Sequence, residues 1–388
     1  MIFLRKSLRF RLMAGEKIGL LLVRKAKVLV QGSFVETDLL VEGGRIREVK
    51  SLIDTPGARE LDGEGLYAGP GWVDLHTHLY PLRFGGVGSR EKNLGVRTGV
   101  TCLLDAGTTG AKNFEGFKER VIDRAETKIF ALLNIKSLGI RFWQLGRVRT
   151  GEDDFRMISE VLSKHRGLIK GIKVTASREH MAASDPLYYV RRAIDAGNEF
   201  SLPVMVHFGL TPPELEQILP MLRSKDLLTH CFRNAGHTIF DSRGRLRPSI
   251  LAARDRGVGF DLGHGVRSFS FPVLEQALLQ GFDDFTISSD LYLLSRPFRA
   301  RSFANVLSKF LNSGMGLEKV IAAASIKPAE WLGLERALAP GKPAELTLFR
   351  LEAGEFIFDD CWGEKRTGTQ RIVPVYAISG GSLFPCRQ

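Results

Sequence analysis

Between residues 71 and 291 the chain alternates between two patterns, and that alternation restricts its fold more than any other feature. Eight short apolar runs occur: GWVDLHTHL (71–79), VTCLLDAG (100–107), KIFALLNIKS (128–137), LIKGIKVTAS (168–177), LPVMVHFG (202–209), LLTHCF (227–232), GVGFDLGHG (257–265) and FTISSDL (285–291). Between most of them lie stretches of helical period, such as EDDFRMISEVLSKHRG, DPLYYVRRAIDAGNEF, PPELEQILPMLRSK and PVLEQALLQGF. Strands that are apolar on both faces and alternate with helices imply a parallel sheet covered by helices. Eight such units predict an α/β chain with a closed (β/α)8 TIM barrel, for which about 250 residues is typical. An open doubly wound sheet is the structural alternative. Its nucleotide fingerprint, Gly-x-Gly-x-x-Gly between the first strand and helix, is not found at a matching place.

The two ends of the chain read as β structure. GLLLVRKAKVLV, DLLVEGGRIREVK and RELDGEGLYA carry strand and hairpin signals, with Gly43 and Gly44 as a tight turn. Strand signals return after Pro340 and Gly341, in AELTLFRL, RIVPVYAISGG and GSLF. We therefore expect a small β-sandwich domain assembled from residues 16–69 and 336–388, flanking a barrel over 70–335. The opening MIFLRKSLRFRLMAGEK is basic and mixed, and it reads as an extension ahead of the first strand. A misassigned start or a targeting segment is the alternative reading.

Composition narrows the function classes. The net charge of +12 raises the question of nucleic acid, but the Lys and Arg residues are scattered through amphipathic helices such as FKERVIDRAETK. No basic block is interleaved with aromatics, so a nucleic-acid partner is not expected. No run of about 18 apolar residues is present to cross a membrane. The four cysteines, Cys102, Cys231, Cys361 and Cys386, are widely spaced and form no Cys-x-x-Cys pair. That pattern points to a reducing, cytoplasmic setting without a disulfide framework.

Active groups in such barrels sit at the C-terminal ends of strands. His76 and His78 are one residue apart at the end of the first run, and in an extended strand they share a face. Two imidazoles on one face can bind one metal ion. The fourth run carries Lys173, the fifth His207, the sixth His230 and the eighth Asp290. Singly, each has a structural explanation: a core histidine, a snorkelling lysine or a helix-capping aspartate. Together they place six metal-site candidates at one mouth.

With these motifs in hand, the chain resembles the amidohydrolase superfamily from about residue 18 to its C-terminus. The matching segments are GPGWVDLHTH, GIKVTA, MVHFG, LTHCF, ISSDL and LAPGKPAELTLF, the last with Glu345 where many relatives have Asp. Within the superfamily, THCFRNAG and FDLGHGVRSFSF are similar to the dihydroorotase-like amidohydrolase/deacetylase group. The resemblance implies a centre of two divalent ions, with zinc as the expected metal. His76, His78 and Asp290 would hold one ion and His207 and His230 the other. Lys173, carboxylated by CO2 to a carbamate, would bridge both. A protonated lysine has donors only and cannot ligate a cation, whereas a carbamate presents oxygens.

The implied chemistry is attack of an activated water on an amide or ester carbonyl, with Asp290 as catalytic base and then acid. The expected reaction removes an acyl group from a small N-acyl amino acid or acylated hydroxy acid. A cyclic amidase of dihydroorotase or hydantoinase type is the alternative, followed by a mononuclear deaminase and a non-catalytic scaffold. His264, after the seventh run, and Arg178, five residues beyond Lys173, are candidates to hold a substrate carboxylate. His237 is a further loop candidate. A homo-oligomer is compatible with the superfamily.

Overall fold

The computed structural model describes residues 15–84, 86–140, 154–179, 185–235, 238–293, 295 and 298–387. The first fourteen residues of the basic opening segment and His237 lie outside the described residues. Seven parallel strands follow in chain order: β1 (Trp72–Thr77), β2 (Val100–Asp105), β3 (Lys128–Asn134), β4 (Ile169–Ala176), β5 (Val204–Phe208), β6 (Leu227–Thr229) and β7 (Gly259–Asp261). Each is hydrogen-bonded to the next. The eighth run closes the ring through single bridges, Thr286 to Asp261 of β7 and Leu291 to Thr77 of β1.

A local competition explains why the eighth run is not a regular strand. The Ser288 hydroxyl donates to Asp261 at 2.8 Å, and the Ser289 amide donates to Asp74 at 2.9 Å. Asp290 then leaves the β region, at φ 46°. Side-chain hydrogen bonds of this kind offer the backbone an alternative to a ladder.

The helical stretches form where periodicity places them. Phe155–Lys164 is capped by Asp154, whose side chain accepts from the Met157 amide. Tyr188–Phe200 and Phe271–Leu279 follow the expected segments. PPELEQILPMLRSK differs: it makes one helical turn, Leu215–Ile218, then a 3-10 turn, Leu219–Met221. Pro220 has no amide to continue an α-helical ladder. Among the described residues, no helix is long and apolar enough to cross a membrane.

The largest core cluster lies between the strands and their helices, with Trp72, Phe114, Phe208, Phe260 and Phe310 fully buried. A second cluster gathers Cys102 and Leu104 of β2, Phe130 and Leu132 of β3, Met205 of β5 and Leu227 of β6. Ala329 and Leu332 of the helix Ile326–Leu332 close it. Alternate strand residues thus fill the two layers, as a small barrel requires.

The chain ends build one nine-stranded sheet. Its N-terminal strands include Leu20–Val30, Ser33–Glu42, Arg45–Lys50 and Tyr67–Pro70. Its C-terminal strands are Leu346–Asp359, Lys365–Ser379 and Ser382–Pro385. The halves join where Tyr67–Pro70 pairs with Leu346–Phe349. Leu21, Val28 and Val41 then share a core with Leu346, Leu348 and Ile378. The expected sandwich is therefore a continuous sheet folded over its own apolar face. Gly43 and Gly44 form the expected turn, at φ 55° and 79°. Glu345 accepts from the Ser379 hydroxyl at 2.8 Å and lies 3.4 Å from Arg336, so it ties the C-terminal strands together.

Candidate metal centre

The strand ends bring His76, His78, Lys173, His207, His230 and Asp290 to one mouth. His76, His230 and Asp290 form a buried group whose ligand atoms lie within 4.8 Å of one another, a candidate metal site. His78 Nε2 is 3.3 Å from Asp290 Oδ1. His207 Nδ1 is 2.8 Å from His230 Nε2. Lys173 Nζ is 3.3 Å from His76 Nε2.

The tautomers follow from hydrogen-bond bookkeeping. The Thr229 hydroxyl donates to Asp261 at 2.7 Å, so its oxygen accepts from His76 Nδ1 at 3.0 Å. The Thr108 hydroxyl likewise donates to Asp105 at 2.8 Å and accepts from His78 Nδ1 at 2.8 Å. His230 Nδ1 faces the Gly263 carbonyl at 2.7 Å, which can only accept. All three rings therefore carry a proton on Nδ1 and turn Nε2 toward the centre. Burial lowers the His76 pKa, and with His76 it pushes His230 down to about 3.

Asp290 lies against His76 and His78, 3.7 and 3.3 Å from their Nε2 atoms. Burial pushes its carboxyl up, but His76, His78 and His230 outweigh that and hold it well below the usual carboxylate range. Lys173 is 1% exposed, and desolvation pushes it down to about 8. An ammonium offers three donors. Among the described residues, Nζ meets only the Met205 sulfur at 3.1 Å and the His76 nitrogen. The donor set of imidazole nitrogens and carboxylate oxygen fits a transition metal such as zinc better than calcium or magnesium.

Backbone conformation supports the same cluster. His230 (φ 75°) and Asp290 (φ 46°) are non-glycine residues in the left-handed region, a sparsely populated conformation for such residues. Gly107 at φ 79° lies so close to Lys173 that a Cβ there would stand 2.5 Å from the Lys173 Cβ. A Cβ at Gly263, φ 51°, would stand 2.6 Å from His230 Nδ1. Both loops need glycine to approach a ligand this closely.

Sequence reasoning missed the outer layer of the centre. Asp74, Asp105 and Asp261 are fully buried at strand ends, and each receives amides or hydroxyls around the ligands. Burial pushes the Asp74 carboxyl up to about 7. The available signal was an aspartate within or at the end of three of the apolar runs, in WVDLH, CLLDAG and GFDLG. Thr108→Val and Thr229→Val should each release one imidazole tautomer. Metal affinity should fall by about 10–100-fold with the fold retained, which competition against a chromogenic chelator would measure.

The two carboxylate-binding candidates stand differently. Arg178 is exposed, and its backbone amide donates to Leu210 at 2.7 Å. His264 is fully buried and stacks on Phe269 at 4.8 Å. Its Nδ1 meets the Gly265 carbonyl at 3.0 Å, and its Nε2 meets Lys309 Nζ at 2.8 Å. Both ring nitrogens of His264 are therefore engaged within the protein.

Lys309 Nζ also donates to the carbonyls of Arg299 at 2.9 Å and Asp359 at 2.7 Å. One buried ammonium thus joins the loop after β7, the segment after the eighth run and the C-terminal hairpin. Lys309→Met should leave those acceptors unmet and cost about 2–3 kcal/mol, read as a lower denaturant midpoint at unchanged slope.

Comparison with known proteins gives three results. A family model described as a deacetylase-like composite domain matches residues 338–385. The chain is 33% identical to a deacetylase of Brucella anthropi, covering 96% of this chain and 94% of that one. It is 31% identical to a deacetylase of Enterococcus faecalis, covering 89% and 95%. Among solved structures, a dihydroorotase superposes with a TM-score of 0.87 at 30% identity, over 95% of this chain and 98% of the other. An adenine deaminase superposes with a TM-score of 0.87 at 29% identity, over 94% and 99%.

Proposed function

The chain belongs to the amidohydrolase superfamily and groups with its deacetylases, and from that premise we propose that it removes an acyl group from a small carboxylate-bearing molecule. The substrate class is an N-acyl amino acid or an acylated hydroxy acid. The observation that carries the reading is the convergence of three Nδ1-protonated imidazoles with Asp290 and under-satisfied Lys173.

In this reading His76, His78 and Asp290 hold one divalent ion, and His207 and His230 hold the second. Lys173 would contribute oxygen ligands as a carbamate, formed when its neutral amine adds to the carbon of CO2 and gives up a proton to solvent. Divalent ions held there, zinc by donor chemistry, would supply Lewis-acid activation of a carbonyl and of a water. Asp290 receives the proton that the attacking water gives up and passes it to the leaving nitrogen or oxygen. Its hold on His78 and His76 fixes the carboxylate toward that exchange.

A ring-opening amidase is the second reading, supported by the likeness to the dihydroorotase structure. A panel of N-acetyl amino acids, O-acetyl hydroxy acids and cyclic amides separates the two. Acetate release from the acyclic members supports the deacylase. Ring opening without acetate release would replace it with the cyclic amidase.

A further inference from the structure

We propose that Arg233, at the end of the segment following β6, is the anchor for the substrate's carboxylate and sets the preference for acidic substrates. The proposal rests on the deacylase reading above and deepens it. Arg233 is 7% exposed, yet its Nε has no hydrogen-bond partner among the described residues. Nη1 donates to the Phe208 carbonyl at 2.7 Å, and the guanidinium lies 5.6 Å from the Phe208 ring centroid. Among the described residues, no carboxylate pairs with it; Glu179 and Arg267 act on it only at longer range.

A guanidinium stays protonated in proteins. Burying its charge without an anion is unfavourable, and buried donors left without acceptors are rare in native structures. Such a group is accounted for when a ligand supplies the missing anion. The fork geometry suits a carboxylate, which can accept from two guanidinium nitrogens at once.

Placement gives the ligand its address. Phe208, which braces Nη1, directly follows His207. The Arg233 amide donates to the His230 carbonyl at 3.3 Å, closing a turn on the other imidazole of that pair. The carboxylate is thereby held beside His207 and His230, with the acyl group directed to the centre. The sequence carried only a faint signal, an arginine closing the apolar LTHCFR.

The test compares N-acetylalanine with N-ethylacetamide, the same amide without the carboxylate, using metal-loaded wild type, Arg233→Gln, Arg233→Lys and Arg178→Gln. We expect Arg233→Gln to lose about 100-fold in kcat/KM on N-acetylalanine, mostly through KM, and less than about threefold on N-ethylacetamide. Arg233→Lys should recover part of the loss, and Arg178→Gln should lose less than Arg233→Gln on N-acetylalanine. Metal content and melting temperature, measured in parallel, confirm that the variants remain loaded and folded. Equal losses on both compounds, or a loss confined to Arg178→Gln, would overturn the assignment. If wild type releases acetate from neither compound, the deacylase reading fails for this substrate, and calorimetric binding of N-acetylalanine decides the Arg233 site. A tenfold or larger rise in Kd in Arg233→Gln supports it, and an unchanged Kd or absence of binding overturns it.

Discussion

Lys173→Ala should lower metal content from about two ions per chain to one or fewer and reduce kcat/KM by at least about 10³-fold. Lys173 reaches the centre from β4, with its Nζ 3.3 Å from His76 Nε2. Losing Lewis-acid stabilisation of several kcal/mol corresponds to about that factor, since 1.36 kcal/mol is tenfold in rate. Elemental analysis of protein purified in bicarbonate-containing, chelator-free buffer would measure the first effect. Lys173→Met, which keeps more of the buried volume, separates loss of the bridge from loss of packing. Two ions in both variants would remove Lys173 from the centre and favour a different ligand scheme.

The same residue predicts a pH dependence for reassembly. Burial pushes Lys173 down to about 8, and only the neutral amine adds to CO2. Below that value the ammonium dominates, so apo-protein given zinc and bicarbonate should regain activity more slowly at pH 6 than at pH 9. Equal recovery rates at both values, at matched dissolved CO2, would count against a carbamate.

Asp290→Asn should retain metal and lose about 10²–10⁴-fold in kcat, the range of general acid–base catalysis. The substitution preserves shape and one coordinating oxygen while removing the carboxylate's capacity to take a proton. Because His76, His78 and His230 hold Asp290 ionised well below neutral pH, the wild-type rate should not fall through the ordinary carboxylate range on its account. Turnover equal to wild type at matched metal content would remove Asp290 from the proton-transfer role. Loss of both ions would instead make it chiefly a ligand.

The barrel could be read from sequence because its cause is local. Strands buried on both faces must be apolar throughout, and helices covering them must be amphipathic, so periodicity announces both. The residue types of the candidate site were readable for a similar reason: His, Lys and Asp stand out at the ends of apolar runs. The eighth strand shows the limit of that reading. FTISSDL has strand composition, yet its serines bond to Asp74 and Asp261, residues that local periodicity does not connect to it.

Only the tertiary structure decided which nitrogen each imidazole offers. His76 is fixed by Thr229, 153 positions away, and His78 by Thr108, 30 positions away. Tertiary packing also set His264 against Lys309 and left Arg233 buried with no ion pair among the described residues. Residue types and their period along the chain are local properties. A proton's location on a ring, or the isolation of a buried cation, depends on partners that folding brings from distant strands, so no pattern along the chain records it.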